Sequence, residues 1–394
     1  MATATKKKTK APTISDAVEN DADKIKSTEY IETGDVGLDI VLTDGKGIPL
    51  GANIMLFGMP GTGKTTLLGD TVKRLLDKYE KAGLPFRIHY VDAESSLELL
   101  ESMGLKKYMY RKDVYAPQQL IYHDHVNSFE YLEDLYERLM KAQDIWAKDV
   151  HIIIIDSVTK LAAKSQLTNE VDKADFGDNA RARKKLYIKW LAKIQELGIT
   201  QFWVSQMSTK QNAGMFEDPK KPAVSDFDMH NMDIIVKLSS NKDTKNVDIK
   251  KIKYQTIQGE REDIPKYLLK IDPGQNKYCK NRYGQNIELE LMIHRGQGVI
   301  NAYVVKKMLE AHGFVSKVDD QNFSMSQILA DYLGEEALTH AGIKNIDKFK
   351  RKPCLNGLCS SYNYTLVEFL KSQGAYCMKV KDDEEEEDDG LFVS

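Results

Sequence analysis

The chain has 394 residues, 42% of them apolar, with 56 Lys and Arg against 59 Asp and Glu for a formal net charge of −3. That composition is ordinary for a globular protein and leaves room for a nucleotide-binding domain with extensions. No apolar run approaches the roughly 20 residues that cross a bilayer, and MATATKKKTKAPT at the N-terminus has no apolar signal core, so neither a membrane protein nor a secreted one is expected.

Residues 1–30 are polar, Lys-rich and poorly periodic, and read as a flexible tail. From Ile31 to about Leu238 strand and helix patterns alternate, as in a parallel sheet with crossover helices. Strands are predicted at residues 52–57, 87–93, 151–156, 200–206 and 233–239, and helices at 64–79, 128–146 and 180–197. Between Gln206 and Asp233 lies a long stretch with little periodicity, read as a loop that is functional or disordered. Residues 240–300 look β-rich and edge-like, closing a core of 31–300, and 301–380 carry helical patterns of a small C-terminal domain. Residues 381–394 form an acidic tail. Its run at 382–389 holds eight negative charges, and without them the net charge of −3 becomes +5, a basic body suited to an anionic partner. Cys279, Cys354, Cys359 and Cys377 are too few and too irregular for a disulfide scaffold, which favours a reduced, cytoplasmic setting. Cys354 and Cys359 resemble half of a metal site, but no second ligand pair follows at zinc spacing.

The chemistry is concentrated in LFGMPGTGKTT. Gly58, four residues, then Gly63, Lys64 and Thr65 make the complete phosphate-loop pattern, set between a predicted strand and a predicted helix. Gly58, Met59, Pro60, Gly61, Thr62, Gly63 and Thr66 are expected to form the loop around the anion, with backbone N–H groups from all but the proline, while Lys64 reaches the terminal phosphates and Thr65 coordinates Mg²⁺. Asp156, ending the apolar run HIIIID, completes the metal clamp. Glu94 ends the predicted strand of HYVDAES and is placed to orient and deprotonate a water. Asp92 is its rival, since strand alternation puts both on one face. Gln206 ends another strand, where its amide can sense the γ-phosphate. RARKK, with Arg181, Arg183, Lys184 and Lys185, opens a helix, and cations there oppose the helix dipole unless an anion compensates. Lys210, Lys220 and Lys221 provide charge in the long loop, and Met207, Met215 and Phe216 provide apolar surface for inserting between bases.

Taken together, TGDVGLDIVLTDGKGIPLG (33–51), GMPGTGKTT, YVDAES and IIIIDSVTKL resemble, in order and spacing, the RecA family of ATP-dependent homologous recombinases, including its bacteriophage members. The resemblance covers roughly residues 31–320. It implies an α/β fold: a RecA-like P-loop ATPase core with a mostly parallel central sheet flanked by helices, plus a small α+β C-terminal domain. It also implies that Glu94 is the water-activating carboxylate and Gln206 the nucleotide sensor. EVDKADFGDNARARKKLYIKWL is similar to the first DNA-binding loop and the helix after it, with Phe176 and Gly177 before the helix and Arg181 at a phosphate contact. SQMSTKQNAGMFEDPKKP resembles the start of the second loop, continuing in KKPAVSDFDMHN where the family carries a Gly-Gly pair. Lys280, Asn281 and Arg282 resemble a Lys-Asn-Lys triplet that reaches a neighbouring subunit's ATP. No aromatic for adenine stacking follows Glu94 in SSLELLESMG. The expected activity is a DNA-dependent, Mg²⁺-dependent ATPase that forms homo-oligomeric filaments on single-stranded DNA and pairs it with homologous duplex DNA. A ring helicase with the same core and an ATP-gated regulator without DNA are the alternatives.

Overall fold

A run such as HIIIID leaves no polar face for water, so it is stable only as a strand covered on both sides. A computed structural model, which describes residues 30–109, 117–141, 149–168, 177–209, 220–240, 252–256, 259–264, 266–271, 276–278, 287–294, 297–350 and 354–376, meets that demand. Phe176, Lys210, Met215, Phe216, Lys280 and Arg282 lie outside the described residues, as do residues 1–29 of the predicted N-terminal tail and the acidic run.

The first of two units begins with β1 (Tyr30–Ile31), α1 (Val36–Thr43), β2 (Ile48–Pro49), β3 (Asn53–Gly58), α2 (Lys64–Lys81) and β4 (Phe86–Asp92). It continues through α3 (Leu97–Ser102), α4 (Lys106–Met109), β5 (Gln118–His123), α5 (Phe129–Lys141), β6 (Val150–Asp156), a 3₁₀ turn (Val158–Lys160), α6 (Lys164–Thr168) and α7 (Asp178–Glu196). Then come β7 (Thr200–Thr209), β8 (Lys220–Pro222), α8 (Asp226–His230) and β9 (Ile234–Ser240). Strands β10 (Ile252–Thr256) and β11 (Gly259–Ile264) form a separate two-stranded sheet, after which β12 (Lys266–Ile271), β13 (Ile287–His294) and β14 (Gly298–Val299) return to the main one.

In space the main sheet runs β14-β13-β12-β9-β3-β7-β6-β4-β5. From β9 to β5 neighbouring strands are parallel, and β12, β13 and β14 add an antiparallel margin. The chain therefore has the α/β fold with a mostly parallel, helix-flanked sheet that the sequence implied. Its register matters for function. Gly58 lies level with Gln206 across β3 and β7, and Asp92 lies level with Asp156 across β4 and β6, so these polar residues share the carboxyl edge of the sheet.

The helices follow from their apolar spacing. α7 buries Leu186, Tyr187, Trp190, Leu191 and Ile194, and α5 buries Phe129, Leu132, Leu135, Tyr136 and Leu139, both at helical period. These side chains join Met55, Phe57, Ile153, Ile155 and Trp203 in one cluster, each contributing roughly 1.5–3 kcal/mol by burial. Ile54, Leu56, Ile152 and Ile154 alternate to the opposite face. Behind the sheet margin, Asp70 of α2 holds Arg74 Nε at 2.9 Å and the Val299 amide at 2.9 Å, while Arg74 donates to the Val299 carbonyl at 3.0 Å.

Three expectations need correction. β4 stops at Asp92, so Glu94 stands in the following turn rather than at a strand end. β7 runs on to Thr209, and β8 pairs back on it antiparallel. The aperiodic stretch also contains α8, begun by a capping box in which Ser225 and Asp228 exchange hydrogen bonds; α8 is too short to show a period. α8 is tied to α7 by Arg183, whose Nε lies 2.8 Å from Asp228 Oδ2, with the two side chains only 12% and 1% exposed.

The second unit takes residues 253–263 and 301–394. It holds α9 (Asn301–Ala311), the antiparallel β15 (Val315–Lys317), β16 (Asn322–Met325) and β17 (Phe349–Lys350), and the helices α10 (Gln327–His340), α11 (Asn356–Ser361) and α12 (Asn363–Ser372). Phe369 of α12 receives Phe314 and Tyr332 edge-on or tilted, which makes this an α+β unit with its own core. Cys354 and Cys359 are buried in it, and burial pushes the Cys359 thiol up to about 12. Among the described residues no helix is long and apolar enough to cross a membrane.

Two stability experiments follow. Burial pushes the Asp39 carboxyl up from 3.8 to about 7, against hydrogen bonds from the Thr33 amide and hydroxyl. A folded-state value above the unfolded one favours the protonated fold, so this stabilisation is lost as pH rises from about 4 to about 7. Asp39→Asn is expected to gain in melting temperature over the parent as pH is raised from about 5 to about 8; a constant gap would refute the assignment. Arg183→Ala, read by the fluorescence of Trp190 and Trp203 in urea, is expected to lose about 3 kcal/mol, because it strands a buried carboxylate. The exposed Arg181→Ala is expected to change stability by less than about 0.5 kcal/mol, and equal losses would contradict the inward role of Arg183.

Candidate nucleotide site and basic segments

β3 delivers Gly58 against its neighbour so closely that a Cβ there would sit 2.2 Å from the Leu238 carbonyl oxygen. Only glycine permits that approach. The loop then turns through Met59, Pro60 and Gly61, which are exposed, and Thr62, whose hydroxyl donates to the Met59 carbonyl at 2.9 Å. Gly63 caps α2 at φ +88°, a left-handed conformation that L side chains resist. With no capping side chain at Gly63, the first-turn amides of α2 are left for a ligand, and the positive end of the helix dipole favours an anion. Lys64 folds over the loop, donating to the carbonyls of Gly58 at 3.0 Å and Met59 at 3.1 Å. Burial lowers its pKa, opposed by the charges of Asp156 and Glu94.

Asp156, at the end of β6, is wholly buried. Its Oδ2 accepts the Thr65 hydroxyl at 2.8 Å and the Tyr90 hydroxyl at 2.7 Å, whereas Oδ1 meets no donor among the described residues. Burial pushes this carboxyl up to about 6, with the two hydrogen bonds opposing and the charges of Glu94 and Asp92 adding to the rise. A buried carboxylate oxygen without a donor, beside a threonine hydroxyl, fits a hard divalent cation such as Mg²⁺. Among the described residues no cluster of three His, Cys, Asp or Glu side chains could hold a metal. Mg²⁺ held by few protein groups, completed by water and phosphate oxygens, fits that donor set.

Asp92 and Glu94 have different surroundings in the turn after β4. Asp92 is fully buried and fully committed: Oδ1 accepts the Glu94 amide at 2.8 Å, and Oδ2 accepts the Ser96 amide at 2.5 Å and the Tyr122 hydroxyl. It shapes the turn. Glu94 emerges from that turn beside the phosphate loop, and its Oε1 accepts from Gln206 Nε2 at 3.0 Å and from Ser157 Oγ at 2.5 Å.

A cleft of about 240 Å³ collects Pro60, Gly61, Gly63, Lys64, Thr65, Thr66, Glu94, Leu99, Gln206 and Ile293. Gly58, Met59, Thr62 and Asp156 are not among its lining residues: Lys64 donates to the Gly58 and Met59 carbonyls, Thr62 to Met59, and Thr65 to Asp156. Leu99 and Ile293 went unnoticed in the sequence. Leu99 belongs to the segment that lacks an adenine-stacking aromatic and supplies an aliphatic wall instead. Ile293 comes from β13, far along the chain, and only the sheet order brings it beside Gly63.

The basic segments divide into outward and inward groups. Gly177 is the N-cap of α7, and Arg181, Lys184 and Lys185 are exposed on that helix. Arg183 points inward to Asp228, with its side chain 12% exposed. The helix also begins two residues before its predicted start, so Asp178 enters its first turn and pairs with Arg181 at 3.2 Å; the dipole conflict expected from RARKK is thereby eased. Met207, expected to face bases, is instead partly buried against the apolar cluster beneath β7. Lys221 lies 3.7 Å from Asp226.

A profile of the RecA N-terminal domain matches residues 6–256. The protein named Protein RecA of Campylobacter fetus subsp. fetus is 26% identical over 197 residues, 50% of this chain and 51% of that protein. Protein RecA of Mycoplasma genitalium is 32% identical over 165 residues, 42% of each chain. That of Rickettsia prowazekii is 29% identical over 192 residues, 49% of this chain and 50% of the other. The chain thus spans about half the length of the curated relatives it matches. With a phosphate-loop core whose profile match covers more than half its length, the chain belongs to the RecA N-terminal domain family.

Proposed function

We propose that this protein is an ATP-dependent DNA recombinase that assembles as a filament on single-stranded DNA in the cytoplasm and pairs the bound strand with homologous duplex DNA. The observation that carries the reading is the hydrogen bond between Glu94 and Gln206 at the mouth of the phosphate-loop cleft, because Gln206 lies on the strand that leads into the second basic segment.

In this reading the backbone of residues 58–66 cradles the β- and γ-phosphates at the start of α2, and Lys64 leaves its loop carbonyls for phosphate oxygens. Thr65 and Asp156 hold Mg²⁺, which when bound neutralises charge on the phosphate oxygens. Glu94 orients the attacking water and takes its proton. Gln206 exchanges its bond to Glu94 for the γ-phosphate, and β7 passes that exchange toward residues 210–219. Lys280 and Arg282 of an adjoining copy supply positive charge to the same phosphate. Along DNA, Arg181, Lys184 and Lys185 meet phosphates, Gly177 lets the strand approach the helix, and Phe176, Lys210, Met215 and Phe216 supply the remaining stacking and charge. Arg183 and Met207 support these segments from within.

ATP turnover measured with and without single-stranded DNA at low salt is expected to rise with DNA, and Lys64→Ala is expected to fall to background. Turnover indifferent to DNA, or surviving in Lys64→Ala, would overturn the reading.

A further inference from the structure

Glu94 has a second partner that the proposed cycle does not use. Ser157 is fully buried, and its hydroxyl lies 2.5 Å from Glu94 Oε1 and 2.9 Å from the Thr159 hydroxyl. A serine hydroxyl has one proton. If Ser157 gives it to the Glu94 carboxylate, which as an anion can only accept, then Thr159 must be the donor to Ser157. The three side chains therefore form a directed chain, Thr159 to Ser157 to Glu94, and each link polarises the next.

The chain begins at a defined place. Thr159 sits in the 3₁₀ turn that leaves β6, closed by the Lys160 amide on the Ser157 carbonyl at 3.1 Å. From there the backbone leads directly into α6, which is fastened to the start of α7: the Ala163 amide donates to Asn179 Oδ1 at 2.7 Å, and the Ser165 hydroxyl donates to Asp178 Oδ2 at 2.8 Å. The helix so anchored carries Arg181, Lys184 and Lys185. One carboxylate oxygen thus accepts a hydrogen bond from β7, which leads to the second basic segment, and another from the turn that leads to the first.

We propose that Ser157 is a positioning residue, oriented by Thr159, that fixes the Glu94 carboxylate and links it to the base of the first basic segment. The inference rests on Glu94 acting as the water-activating base. With Oε1 held by Ser157 and Gln206, Oε2 is left for the water. When Gln206 lets go, the Ser157 bond keeps the carboxylate in place, so positioning and sensing fall to different donors on the same oxygen.

Steady-state ATP turnover with saturating single-stranded DNA tests this. Ser157→Ala is expected to lower kcat by roughly ten- to hundredfold, the penalty for a misplaced catalytic group, with KM for ATP unchanged within about twofold. Thr159→Val, similar in shape but without the hydroxyl, is expected to lower kcat in the same direction by less, and Thr159→Ser to restore it. In a Glu94→Gln background Ser157→Ala is expected to have no further effect. Melting curves for each variant establish that the fold survives, and if Ser157→Ala unfolds, the Thr159 pair carries the test alone. A parent-like kcat in both Ser157→Ala and Thr159→Val, a loss confined to KM, or an additive loss in the double variant would overturn the proposal. Failure of the underlying reading looks different: the parent protein itself would lack DNA-stimulated turnover, or Lys64→Ala would retain it.

Discussion

The carboxyl edge of the sheet depends on one buried charge. Asp156 joins three elements at a single oxygen: Thr65 opens α2, Tyr90 comes from β4, and Asp156 itself ends β6. Two hydrogen bonds to one oxygen do not offset complete burial, which is why the carboxyl stays above its ordinary range and why its other oxygen suits a cation. A site of this kind is held ready by packing. Apolar β6, covered on both faces, fixes the carboxylate, and the register with β4 sets Asp92 beside it. Asp92 then fixes the turn from which Glu94 projects.

From that edge two routes lead outward through the fold. β7 carries Gln206 and continues into the antiparallel return of β8, which precedes α8. The turn after β6 carries Ser157 and Thr159 and precedes α6 and α7. The routes meet again away from the cleft, where Arg183 of α7 and Asp228 of α8 form a buried pair. Such a pair contributes little net stability, but it fixes which surface of α7 faces inward and therefore which cations face out. That pair joins the helix that follows the first route to the helix that follows the second.

Much of this was legible in the sequence, for physical reasons that differ by element. The phosphate loop was readable because glycine spacing, strand and helix all coincide within a dozen residues. Strands β3 and β6 were readable because burial on both faces leaves apolar runs of four residues, and β4, β7 and β9 because shorter apolar stretches are flanked by turn and loop residues. Edge strand β5, QQLIYH, was missed because a half-covered strand mixes polar with apolar residues, and α8 was missed because five residues cannot display a helical period. The choice between Asp92 and Glu94 needed the strand end, which shifts one residue and changes what each carboxylate can reach. Arg183 and Met207 looked like surface groups because their partners, Asp228 and the cluster under β7, are remote in the chain. Leu99 and Ile293 carry no motif at all.

Under the proposed function, occupancy of the cleft is felt by the basic segments through the Glu94–Gln206 contact. Fluorescence anisotropy of a labelled single-stranded oligonucleotide, titrated with protein plus Mg²⁺, with and without a non-hydrolysable ATP analogue, tests it most directly. The analogue is expected to tighten binding by roughly tenfold or more, within the usual span of coupling between sites, and Gln206→Ala to remove most of that gain. Equal affinity in the two conditions, or full coupling retained in Gln206→Ala, would contradict it.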